Sequence, residues 1–129
     1  MTPASLAHLP WWRGLGRALV AAMLVVSLLP APAFIGAVPQ GDKLGHALAF
    51  AGLVLWYAQL YPQPRDRWHC ALGALALGAL IELLQAFVPW RSAEWLDLVA
   101  DGGGALLGVL LAATPLGAVL RRLDGPARA

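Results

Sequence analysis

The chain has one cysteine, Cys70, so no disulfide can form within it and cysteine usage says nothing of a redox compartment. Charge is scarce too. Only 12% of residues are charged, where a soluble domain usually carries about 25%, and this is too little to coat a surface facing water. No basic stripe and no basic helix face is present, so the net charge of +2 does not point to nucleic acid. Nucleophile and zinc-peptidase motifs are also missing, with no GxSxG and no HExxH anywhere in the chain.

What the chain has in quantity is long apolar runs, and 60% of its residues are hydrophobic. Four runs stand out, at about residues 15–38, 44–61, 68–88 and 96–120. Each is close to the roughly 20 residues that a helix needs to cross about 30 Å of hydrocarbon. Short links holding Pro, Gly or charge join them. The pattern predicts an all-α polytopic membrane protein, a bundle of about four transmembrane helices in a single domain over residues 1–129. A rival reading applies to the first run. Arg13 and Arg17, an apolar stretch and then Ala31-Pro32-Ala33 have the form of a signal peptide with its cleavage site.

Lysine and arginine give the expected orientation. With four spans, Arg13, Arg17, Arg65, Arg67, Arg121, Arg122 and Arg128 fall on one side, and only Lys43 and Arg91 on the other. Both termini are therefore expected in the cytoplasm, with the protein in the bacterial inner membrane. Tryptophan fits this arrangement. Trp11, Trp12, Trp56 and Trp68 fall near the inner interface, and Trp90 and Trp95 near the outer one.

The acids divide the other way. Asp42, Glu82, Glu94, Asp97 and Asp101 lie in the outer half, and only Asp66 and Asp124 in the inner half. Asp42 and His46 are four apart and share a helix face, as do Asp97 and Asp101. Glu82 lies about 10 Å below its helix end at 1.5 Å per residue. A lone charge at mid-bilayer costs about 3 kcal/mol or more, so Glu82 is expected to be protonated, paired or wet. A polar cluster of Asp42, His46, Glu82, Gln85, Arg91, Asp97 and Asp101 is expected to converge on one outward-facing pocket. Arg91 is its expected counter-charge, while Lys43 is expected to snorkel to the interface. The alternative is interhelical glue. Gly104 and Gly108 form a GxxxG pair suited to close helix packing.

The segments Asp42-Lys43-x-x-His46, Glu82-x-x-Gln85 with Arg91 after it, and Asp97-x-x-x-Asp101-x-x-Gly104-x-x-x-Gly108 resemble, in order and spacing, the VanZ-like family of bacterial membrane proteins. The resemblance covers about residues 42–111, and the first run fits the family's first span. The family often has Asn where this chain has Asp101. Its named member is associated with low-level resistance to teicoplanin, so the resemblance implies a cell-envelope role and glycopeptide resistance.

Three functions compete. The leading one is a non-enzymatic envelope protein whose outer cluster binds a glycopeptide, a lipid head group or another membrane protein. The second is a membrane enzyme acting on a lipid-linked envelope precursor, with Asp, Glu and His as acid and base or as ligands of a divalent metal. Against it, Ser92 is the only hydroxyl residue expected on the outer side, and no catalytic residue is assigned. The third is a small proton-coupled transporter with Glu82 and His46 as relay. No cofactor and no metal is assigned from the sequence. The expected partners are membrane lipid and, in a homo-oligomer, further copies of the chain.

Overall fold

Proline marks where the chain starts to wind. Its fixed φ and missing N–H suit the first helical turn, where no intrahelical donor is needed. Pro10 lies in the first turn of α1, Leu9–Leu28, and Pro64 opens α3, Pro64–Gln85. Between them runs α2, Gly41–Leu60. The fourth long helix, α4, spans Trp95–Ala112. The structure is a computed structural model describing residues 1–30 and 40–125. Among these residues every regular element is helical.

Two of the expected runs depart most from the observed helices. The first helix starts well before residue 15, because Pro10 and the Trp11-Trp12 pair sit inside its opening turns. It ends at Leu28, just before Pro30. Ala31-Pro32-Ala33, the cleavage site of the signal-peptide reading, lies outside the described residues. The run at 96–120 is not one helix. Thr114 and Pro115 interrupt it, and the Thr114 hydroxyl accepts from the Leu116 N–H at 3.2 Å. The chain turns through a 3₁₀ segment, Pro115–Ala118, into the short helix α5, Val119–Asp124.

Helices α1, α3 and α4 are long and apolar enough to cross a membrane. α2 has 20 residues, but Asp42, Lys43, His46 and Gln59 make it more polar. It is the helix that the others surround, with its most extensive contact against α4. Phe50, Leu53 and Val54 of α2 pack in the core with Ile81 of α3 and Ala105 and Val109 of α4. Large apolar residues such as Val25, Leu48, Leu72, Leu83 and Leu110 point outward, as a lipid-facing surface requires.

In lipid, apolar surface alone drives no association between helices, so close backbone approach matters more. The α2–α4 seam is built this way. A Cβ at Gly104 would run into the carbonyl of Ala47, and one at Gly108 would lie 2.7 Å from both the Ala51 oxygen and Val54 Cβ.

The two ends of the described chain meet at one end of the bundle. The His8 N–H donates to Asp124 Oδ2 at 2.9 Å, and His8 Nδ1 lies 2.6 Å from Asp124 Oδ1. The backbone donor of His8, followed by its ring, holds the Asp124 carboxyl below the usual aspartate range. A depressed value stabilises this closure above the ordinary value of 3.8, and the contribution is lost as pH falls through the lowered one. Nearby, the Ala4 N–H donates to the Leu60 carbonyl at 2.8 Å, and the Thr2 N–H to Asp66 Oδ2 at 2.8 Å. Trp12 and Trp56 meet edge to face at the same end, 5.9 Å between centroids.

Candidate functional site

The opposite end of the bundle collects the acids. α2 contributes Asp42, Lys43 and His46 from its first two turns. α3 contributes Glu82 from its last turn, and α4 contributes Asp97 and Asp101 from its first two turns. Glu94, the residue just before α4, completes the group. The i, i+4 spacing puts His46 one turn below Asp42 and Asp101 one turn below Asp97. The cluster therefore has an upper and a lower layer.

The upper layer is organised by a single ammonium. Lys43 Nζ donates to Glu94 Oε2 at 2.9 Å and to Asp42 Oδ2 at 3.0 Å, and lies 3.2 Å from Asp97 Oδ1. This bonding by Lys43 holds the Glu94 carboxyl below the usual glutamate range. The expectation for Lys43 is thus reversed. It does not snorkel away, because three carboxylates surround the reach of its stem.

The lower layer is more buried. Asp101 is fully buried, and its Oδ1 lies 2.8 Å from His46 Nδ1. An ionised Asp101 accepts the Nδ1 proton and leaves the Nε2 lone pair free. The His46 ring also stacks on Phe50, with 6.4 Å between centroids and planes 5° apart. Asp101 fits there because Gly78 of α3 has no side chain; a Cβ on Gly78 would strike Asp101 Oδ2. Glu82 Oε2 accepts from the Glu94 N–H at 2.8 Å, which fastens the α3–α4 connection over the cluster. The donor atoms of His46, Glu82 and Asp97 lie within 4.8 Å of one another, and so do those of Asp42, Glu94 and Asp97.

The structure thus brings together Asp42, His46, Glu82, Asp97 and Asp101. It leaves Gln85 and Arg91 out of the bonded cluster. Gln85 is buried, but its amide donates to the Ser27 carbonyl of α1 at 2.8 Å. Among the described residues Arg91 makes no ion pair, so it is not the counter-charge that its planar fork suggested; Lys43 takes that position. The sequence reading passed over Glu94 and Gly78. Both had a signal: Glu94 is one of the five outer acids, and Gly78 stands four residues before Glu82 on the same face of α3.

Beside the cluster, a groove of about 360 Å³ runs between α1 and α2. Leu19, Met23 and Val26 of α1 and Phe50 of α2 form its apolar walls. Asp42, His46 and Arg91 line its other end. The groove is therefore amphipathic along its length, greasy toward the middle of the bundle and charged toward the cluster.

The family model described as VanZ/LLP1 matches residues 5–119. The chain belongs to the VanZ/LLP1 family. The match takes in all four long helices and both layers of the cluster, and with the apolar helices it makes the chain a membrane protein of VanZ type. No curated protein and no solved structure is similar enough to match this VanZ/LLP1 chain. One departure from the family's pattern takes on a local meaning in the VanZ/LLP1 fold. Asn, which the family often has at the position of Asp101, also offers an oxygen that can accept from His46 Nδ1. The acid adds charge at this position, while the hydrogen bond is open to either residue.

Proposed function

We propose that this VanZ-type protein is a multi-pass inner-membrane protein of the cell envelope that holds a lipid or lipid-linked envelope precursor. The head group would lie against the polar cluster and the hydrocarbon chain along the α1–α2 groove. The observation that carries this reading is the groove itself, with apolar walls that end on Asp42, His46 and Arg91. A long apolar slot with a charged end fits an amphiphile better than it fits a water-soluble ion or sugar. Arg91, with no ion pair among the described residues, supplies the donors that a phosphate or carboxylate head group needs. By the family resemblance, such a hold on envelope lipid would underlie a low-level glycopeptide resistance of the teicoplanin type.

Filling the groove tests the proposal. Gly45 lines it, and a Cβ there meets nothing within 4 Å. Gly45→Trp is therefore expected to leave the helices folded while obstructing the slot. Lipid that co-purifies with the protein in mild detergent, identified by mass spectrometry, should fall by tenfold or more. Unchanged lipid occupancy in a folded Gly45→Trp protein would end the lipid reading. In a teicoplanin-sensitive host, expression should raise resistance, and Glu82→Gln should remove that gain at equal protein level. If Glu82 only bonds helices together, the phenotype would survive the change.

The orientation belongs to the same proposal. In this reading both termini lie in the cytoplasm and the cluster faces outward. The joining of the two described ends through His8 and Asp124 supports their lying on one side, and the distribution of Lys and Arg supports the cytoplasm as that side. Alkaline phosphatase fused after Arg122 should be inactive, and the same enzyme fused near Arg91 should be active. The reverse pattern would place the cluster on the cytoplasmic side.

A further inference from the structure

Two groups of three donors share Asp97 in this cluster, and they differ in one respect. The upper group, Asp42, Glu94 and Asp97, already surrounds a cation, the Lys43 ammonium, at 3.0, 2.9 and 3.2 Å. The lower group, His46, Glu82 and Asp97, surrounds none. We propose that His46, Glu82 and Asp97 together hold one divalent first-row transition-metal ion.

Three observations carry this. The first is donor chemistry. One imidazole and two carboxylates make a mixed N/O set, which suits ions such as Mn²⁺ and Zn²⁺. Ligands about 2.1 Å from a common ion stand roughly 3–3.5 Å apart, and donors already within 4.8 Å of one another need only a small inward movement. The second is unused bonding capacity. Glu82 Oε1 is buried without a hydrogen-bond partner. Asp97 is 6% exposed, and its Oδ1 has only the Lys43 ammonium, 3.2 Å away, to meet it. Buried carboxylate oxygens left in this state cost stability unless something meets them. The third is the group behind the histidine. Asp101 engages Nδ1, which fixes the ring and turns Nε2 into the available donor, the arrangement that orients a metal-bound histidine.

Charge balance points the same way. Three carboxylates share one ammonium, and Glu82 and Asp101 lie in the layer below with no lysine or arginine partner among the described residues, in a segment where surplus charge is costly. A divalent ion in the lower layer offsets two of them. The proposal rests on donor geometry and does not depend on whether the groove holds lipid.

Metal-free full-length protein in detergent, titrated with Mn²⁺, tests it. The expected result is one Mn²⁺ per chain, lost in Glu82→Gln and in Asp97→Asn and weakened about 10–100-fold in Asp101→Asn. Each variant's melting profile checks that it is folded. Should the variants fail to fold, the unaltered protein still decides the matter. Pulsed EPR of its bound Mn²⁺ should show coupling to one imidazole nitrogen. Binding without nitrogen coupling would overturn the proposal, as would no stoichiometric binding. Binding kept in Glu82→Gln but lost in Glu94→Gln would place the ion in the upper group and overturn it as well.

Discussion

Gly104→Val is expected to abolish recovery of folded protein, while Gly103→Val, one residue away, is expected to be tolerated. The contrast comes from backbone geometry. A Cβ at Gly104 meets the carbonyl carbon, oxygen and Cα of Ala47 in α2, whereas a Cβ at Gly103 meets nothing within 4 Å. A clash with a flexible side chain can be relieved by a rotamer change. A clash with backbone can be relieved only by moving the helix. The α2–α4 seam is the most extensive in the bundle, so moving it disturbs the core around Phe50, Val54 and Ala105. Overpacking in a well-filled core costs about 1–3 kcal/mol and sometimes more, and the rigid seam puts Gly104 at or beyond the upper end. Size-exclusion profiles and thermal melts in one detergent would compare the two variants. Equal behaviour would mean that α2 and α4 do not approach as closely as described. Gly108→Leu should resemble Gly104→Val in direction, with a smaller loss, because a Cβ there meets one backbone atom, the Ala51 oxygen, less closely than Gly104 meets Ala47, and its other contact, Val54, can yield partly.

Asp101→Ala is expected to cost about 3 kcal/mol, and Asp101→Asn much less. Asp101 is fully buried and is bonded to His46 across the α2–α4 seam. Alanine leaves the mostly buried His46 Nδ1 without its partner, and removing one member of a buried polar pair costs roughly 1–3 kcal/mol. The vacated space against Gly78 adds a cavity term. Asparagine keeps an accepting oxygen at the same reach and so preserves the bond. A fall in melting temperature for Asp101→Ala, largely restored in Asp101→Asn, is the expected pattern. Equal losses would show that His46 depends on the charge of Asp101 and not only on its oxygen.

Much of the fold was legible in the sequence because bilayer thickness sets helix length and the loops are short. The run at 96–120 misled because hydropathy does not register the break that Thr114 and Pro115 impose. The start of α1 was hidden by Pro10, Trp11 and Trp12, which belong to an interface in composition and to a helix in geometry. In the cluster, spacing along each helix correctly puts Asp42 with His46, and Asp97 with Asp101. What spacing cannot supply is the rotation of one helix against another. That rotation turns Gln85 toward Ser27 and not toward His46. It also turns Lys43 among three acids, while Arg91 lies along the groove. The general affinity of arginine for carboxylates pointed to the wrong cation, because proximity decides between two bases and proximity is tertiary. The bond from the Glu94 N–H to Glu82 depends on how the α3–α4 link folds, which residue type alone does not encode.

The central claim is that three helices assemble a polar end for an amphiphile lying between α1 and α2. A crystal structure grown from a lipidic mesophase tests it most directly. The account predicts elongated density between Met23 and Phe50, with its polar end within hydrogen-bonding distance of Asp42, His46 or Arg91. A groove closed by contact of α1 with α2, or density confined to the outer faces of the bundle with none reaching those three residues, would contradict it.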